Sequence, residues 1–162
     1  MVGRHSLELA LPGATIGAAA GAMAGGLTLL AGQPAGLAAL SALALAVPLA
    51  LFGGLYGVLL GEGLLRHGTF GPSGLYWMAA FPLSRLFQDG VAGPGTTEGV
   101  GAFLAFQAMV SLGFALGFVW VHERLMPHWL LRRATVNPRA AALLETYVRH
   151  AQVTHRRKGA RR

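Results

Sequence analysis

Residues 36–61 read GLAALSALALAVPLALFGGLYGVLLG, a Leu-rich stretch without a single charged side chain. As one helix this stretch rises about 39 Å at 1.5 Å per residue, more than the roughly 30 Å hydrocarbon core of a bilayer. It lies inside a longer run, from Glu8 to Glu62, with no Asp, Glu, Lys or Arg between the two ends, and a second charge-free run extends from Gly99 to His122. Helices in water-soluble cores rarely go so far without a charge, whereas a spanning helix needs about 20 apolar residues in succession. Composition agrees, because 54% hydrophobic and 12% charged residues with 24 Gly in a chain of 162 exclude an ordinary soluble domain. The fold class expected is all-α, a polytopic membrane helical bundle.

On the N-terminal side of this stretch, a weakly hydrophobic first span is expected from Pro12 to Leu30, ending before the turn Gly32-Gln33-Pro34. The second span, Gly36 to Gly61, carries Pro48 in its middle, which predicts a kink. So short a connection makes the two an antiparallel hairpin. Ala22-Met23-Ala24 has the small-x-small form of a signal-peptidase site, but Glu8 and the Gly-rich apolar region argue against cleavage.

On the C-terminal side the reading is less direct. Gly71 to Gln88 is short for a span, and Pro82 and Arg85 weaken it, which leaves a thin tilted span, a re-entrant segment or an interfacial helix. The last full span, Val100 to Val121, follows the polar turn Gly93-Pro94-Gly95-Thr96-Thr97 and ends on Trp120 as an interface anchor. That gives three full spans plus a short third hydrophobic segment. Basic residues in short loops favour the cytoplasm. With the C-terminus inside, four spans keep Arg4 and Arg66 inside and leave Asp89 and Glu98 outside, so four fit better than three.

The formal charge of +7 is unevenly placed: ten of the thirteen basic residues fall between Arg124 and Arg162, with Glu145 as the only acid there. The chain divides accordingly into a transmembrane domain, 1–125, and a basic cytoplasmic tail, 126–162. Met126-Pro127-His128-Trp129 is expected to break the helix near the headgroups. Asn137 and Pro138 then form an N-cap and first-turn pair for a C-terminal amphipathic surface helix, with Leu143, Leu144, Tyr147, Val148 and Ala151 on one face. Arg132, Arg133, Arg156, Arg157, Lys158, Arg161 and Arg162 are the residues expected to contact anionic lipid headgroups. Such a tail places the C-terminus in the cytoplasm, and the Arg-, Ala- and Gly-rich composition suggests a bacterial plasma membrane. The basic run lacks interleaved aromatics, so no nucleic acid is expected.

Gly13, Gly17, Gly21 and Gly25 are spaced four apart in the first span, Gly53, Gly57 and Gly61 in the second, and Gly113 and Gly117 in the last. Small residues at this spacing form a glycine zipper that lets helix backbones approach closely, supplying van der Waals contact where lipid gives no hydrophobic drive between helices. The grooves serve either the protein's own helices, or self-association and docking on other membrane subunits. The first-span ladder is the better docking candidate of the set.

Polar side chains within the spans are few: Thr15, Thr28, Ser41, Tyr56, Gln107 and Ser111. Gln107 and Ser111 lie one turn apart beside Phe103, Phe114 and Phe118, a possible polar pocket, although interhelical hydrogen bonding explains them as well. An ionisable relay at mid-membrane, which coupled transporters need, is missing. Glu62 with His67 and Glu123 with His122 reach one side in a four-span topology, with His128 close behind, so a metal site is conceivable there. The simpler account has Glu62 and Arg66 as an i,i+4 pair and the His as interface residues, and no metal or cofactor is assigned. With no Cys and no catalytic motif, the chain reads as a non-catalytic accessory, assembly or scaffold subunit. The alternative is a small homo-oligomeric channel or transporter.

Overall fold

The computed structural model describes residues 3–93 and 99–159, the side chains of 154–159 excepted, and is all-helical over them. A short α1 (Arg4–Glu8) leads through Leu9 into α2 (Ala10–Leu30), followed by α3 (Ala35–Gly61), α4 (Phe70–Ala92), α5 (Val100–Arg133) and α6 (Pro138–Gly159). The first helical stretch with α1, α3 and α5 are long and apolar enough to cross a membrane. Only 22% of each apolar window is buried inside the protein, so most of this surface is left for lipid.

The tightest contact joins α2 to α3. A Cβ added to Gly13 would strike the Gly53 carbonyl, one at Gly17 the Leu49 carbonyl, and one at Gly21 or Gly25 the Ala46 or Ala42 side of α3. Further along, Gly57 and Gly61 make room for the backbone and side chain of Leu9. The first-span ladder therefore faces the chain's own second helix over its whole length. Gly113 and Gly117 differ: nothing stands within 4 Å of a Cβ at either, so they pack no helix of this chain.

The segment expected to be short is one continuous 23-residue helix, α4, about 35 Å long. It runs antiparallel to α3 and is pinned to it at successive depths. Tyr56 Oη and Ser73 Oγ share a hydrogen bond of 2.8 Å, Tyr76 donates to the Phe52 carbonyl at 2.6 Å, and Gln88 Nε2 donates to Ser41 Oγ at 2.6 Å. Each step back along α3 is matched by a similar step forward along α4, which excludes a re-entrant hairpin. α4 also packs along α5, where Trp77 and Phe81 meet Phe114 and Phe118 in the central core with Leu45, Leu49 and Tyr56.

The expected break at Met126-Pro127-His128-Trp129 does not occur, and α5 runs unbroken through Pro127 to Arg133. A proline removes one backbone donor and crowds the preceding turn, but Met126 and Leu130 on either side are fully buried against Leu9, Ala140 and Leu143. That burial holds the helix in register. The α6 cap stands where expected: Asn137 Oδ1 accepts from the backbone N–H of Arg139 and Ala140. Its apolar face does not simply await lipid, because Ala140 and Leu143 bury against the bundle with Leu144 and Tyr147 beside them.

The seam makes a sharp expectation. Gly17→Ala should destabilise the protein by about 1–3 kcal/mol through overpacking against backbone. Gly26→Ala, with nothing within 4 Å of the new Cβ, should be neutral or stabilise by up to ~1 kcal/mol. Thermal unfolding in detergent compares the two, and equal midpoints would remove the seam from the account.

Candidate functional site

Three places gather the polar and ionisable side chains. The first is the end of the bundle where α1, α3, α5 and α6 meet. Glu62, at the end of α3, accepts from Ser6 Oγ at 2.8 Å and forms an ion pair with Arg139 of α6. Asn137 Nδ2 donates to the His5 carbonyl at 2.9 Å and to Glu8 Oε2 at 3.0 Å. The start of the chain and the start of α6 are thereby latched to one another at the same end. The loop after α3 joins them, since Glu123 accepts from the Gly68 N–H at 3.2 Å and His67 stacks on Tyr147 with centroids 4.4 Å apart.

This arrangement corrects one expectation and removes one alternative that the sequence left open. Glu62 pairs with Arg139 and Ser6, not with Arg66 or His67, because α6 delivers Arg139 directly above the α3 terminus. The His and Glu side chains also fail to converge: His67 stacks on Tyr147, His128 Nδ1 hydrogen-bonds the Arg124 carbonyl within α5 at 2.8 Å, and His122 is fully buried between Tyr56 and Phe118. Among the described residues no three of His, Asp and Glu are placed to hold a metal ion. The Glu62 carboxyl is held below its usual range by the hydrogen bond from Arg139 and then that from Ser6, while burial pushes the Tyr147 phenol up.

The second place is the opposite end. Gln88 bridges Ser41 to Arg85, its Oε1 accepting from Arg85 Nη1, and with Thr28 and Asp89 these residues line a small cavity of about 250 Å³. The sequence reading counted Ser41 as a span polar group and Arg85 as a liability, but left Gln88 out. The missing signal was tertiary: only the antiparallel register of α4 on α3 brings 88 beside 41.

The third is a cleft of about 990 Å³ between α2 and α5, floored by Leu45, Leu49, Phe81 and Phe118. Gln107, Thr15 and Arg85 are its polar members, and Gly113 and Gly117 lie on its α5 wall. Ser111 does not join Gln107 in a polar pocket. It is fully buried and donates to the Ala108 carbonyl of its own helix at 2.6 Å.

Of the basic residues expected at headgroups, Arg132 is exposed and Arg133 lies over the Trp129 ring at 5.1 Å. Arg156, Arg157 and Lys158 fall on helical backbone without described side chains, and Arg161, Arg162 and the turn residues 94–97 lie outside the described residues. No protein-family model, curated protein or solved structure matches this chain.

The latch carries a pH dependence of definite sign. A carboxylate whose folded pKa is depressed contributes stability that is present above its unfolded value, ordinarily 4.5, and that is lost as pH falls through the lower folded value. Amide protection in α1 and α6 should therefore hold down to about pH 4.5 and fall progressively below it. In Glu62→Gln this acid step should vanish and exchange should already be faster at neutral pH. An unchanged profile in the variant would show that Glu62 does not hold the latch.

Proposed function

We propose that this chain is a non-catalytic integral membrane protein of a bacterial plasma membrane, an accessory or scaffold subunit that crosses the bilayer four times with both latched ends cytoplasmic. The latch supports an even number of crossings, because Asn137 could not reach His5 across a membrane. The charge pattern supports its side: Arg4, Arg66, Arg124, Arg132, Arg133, Arg139 and Arg149 belong to the latched end, against Arg85 with Asp89 near the other.

One observation carries the scaffold reading. The first-span glycines are occupied within the chain, whereas Gly113 and Gly117 sit open on α5. They belong to an exposed stripe with Met109, Leu116 and Trp120. A Gly-x-x-x-Gly pair on a lipid-facing stripe is the surface on which a second membrane helix gains close backbone contact. Span polar groups, meanwhile, tie helix to helix: Tyr56 to Ser73, Tyr76 to Phe52, Gln88 to Ser41. A water path lined by Gln107 and Ser111 fits this less well, since Ser111 is turned to its own helix.

Native mass spectrometry of the chain extracted with its lipid tests the reading. Foreign membrane subunits should accompany the wild type and be lost, by tenfold or more, from Gly113→Leu and Gly117→Leu, which have room to fold. Gly26→Leu on an exposed face of α2 should retain them. A lone homo-oligomer dissociated by the α5 variants would instead make a second copy the partner and move the weight to a channel or transporter.

A further inference from the structure

The α2–α5 cleft does not end blindly at the latched end. Thr15 and Leu125 line both it and a second cavity of about 500 Å³, whose other walls include Leu11, Trp129, Arg124, His128 and Arg132. Arg124, His128 and Arg132 are four residues apart on one stripe of α5, so the two guanidinium-bearing positions are about 12 Å apart along the axis. They stand just past the last charge-free residue of the span, His122, and are flanked by Trp120 and Trp129, the side chains that favour the headgroup level. Arg124 is steadied by its guanidinium 4.1 Å over the Trp120 ring.

Along this groove the charged side chains stand at the ends, Arg85 with its Gln88 partner at the far one and Arg124, His128 and Arg132 at the latched one. From Phe106 to Leu125 the α5 wall extends about 29 Å and is apolar save for Gln107. At its latched end come two arginines and a histidine, with no carboxylate among the described residues lining either cavity. The ion pair of Arg139 with Glu62 involves neither Arg124 nor Arg132. The larger cavity alone lies at the upper end of the roughly 300–1,000 Å³ that ligand sites occupy.

We propose that this groove is a binding site for one anionic phospholipid of the leaflet at the latched end, with its phosphate between Arg124 and Arg132 and an acyl chain passing Thr15 and Leu125 into the α2–α5 cleft. An anionic diester neutralises two guanidinium groups for which neither cavity offers a carboxylate among the described residues, and its acyl chain covers apolar walls that α2 and α5 do not close on each other. The occupant is a lipid and not a peptide helix, because the charged and apolar parts join end to end at headgroup depth, the order in which a phospholipid presents them. The site depends on the membrane placement above and shares Gly113 and Gly117 with the edge of the partner surface; the arginine variants, which leave both glycines unchanged, separate lipid binding from partner docking.

Lipid retention in native mass spectrometry tests it, using the detergent-purified full chain titrated with phosphatidylglycerol or phosphatidylcholine. The wild type should hold one phosphatidylglycerol at detergent levels that strip phosphatidylcholine. Arg124→Gln with Arg132→Gln should lower that retention at least fivefold, and Arg149→Gln, an equal kind of change on exposed α6, should leave it intact. Ala19→Trp, which fills the cleft without altering charge, should also expel the lipid. Circular dichroism and unfolding midpoints matching the wild type certify that each variant is folded. Equal retention of the two lipids, or an Arg149→Gln loss as large as that of the double variant, would overturn the site in favour of diffuse charge. Full retention in Ala19→Trp would place the lipid outside the cleft and overturn it equally.

Discussion

Everything in this bundle is arranged around the approach of α2 to α3, close enough that neither backbone leaves room for a Cβ at Gly13, Gly17, Gly21, Gly53 or Gly57. In water two apolar helices are driven together by burial, but in lipid the solvent is as apolar as they are. What remains is dispersion between atoms in contact, individually small and steeply dependent on distance. Glycine at every fourth position removes the side chains that would hold the backbones apart. The weak apolarity of α2 follows from this, since a helix made of Gly and Ala on its packed face gives up side-chain area that would have favoured insertion. Its contact with α3 compensates.

Because α2 is bound to α3, the other helices have to be held differently, and they are. Among α2 to α5, α4 alone is not apolar enough to cross a membrane by its own composition, with Pro82, Ser84, Arg85, Gln88 and Asp89 in it. Ser73, Tyr76 and Gln88 find partners on α3, Arg85 bonds Gln88 within the helix, and Ser84 donates to the Ala80 carbonyl at 2.8 Å. A polar group satisfied inside the protein no longer costs its desolvation. α4 is consequently a helix that the bundle stabilises more than the bilayer does. At the ends, where water returns, ion pairs and capping take over, and Glu62, Arg139 and Asn137 join three helices in one latch.

The sequence made legible whatever depends on local chemistry. Charge-free runs located the spans, four-residue glycine spacing marked the close seam, and Asn137-Pro138 announced the start of α6. It concealed what depends on the neighbours. Pro127 reads as a break in any local view, yet burial of Met126 and Leu130 carries α5 through it. Gln88 is unremarked until the register of α4 sets it beside Ser41. Glu62 and His67 look like partners by proximity in sequence, but α6 supplies a cation to the first and an aromatic ring to the second. Which glycine ladder faces a helix and which faces outward cannot be read from spacing, as all of them share it.

The cleft is the geometric complement of the seam. All four ladder glycines of α2 turn toward α3, so α2 lies pressed against one neighbour and presents Thr15, Ala19, Met23 and Leu27 toward α5. On the other side, α5 is held away from α2 by the aromatic stack of Phe114 and Phe118 with Trp77 and Phe81, which anchors it to α4. Closing the gap would require larger residues where α5 has Gly113 and Gly117, but these offer nothing to reach across. A tight contact on one face of α2 and an aromatic anchor on one face of α5 thus leave an open apolar wall between them. In a membrane such a wall is open to lipid chains, and it is this opening, with arginines at its mouth, that the proposed lipid site uses.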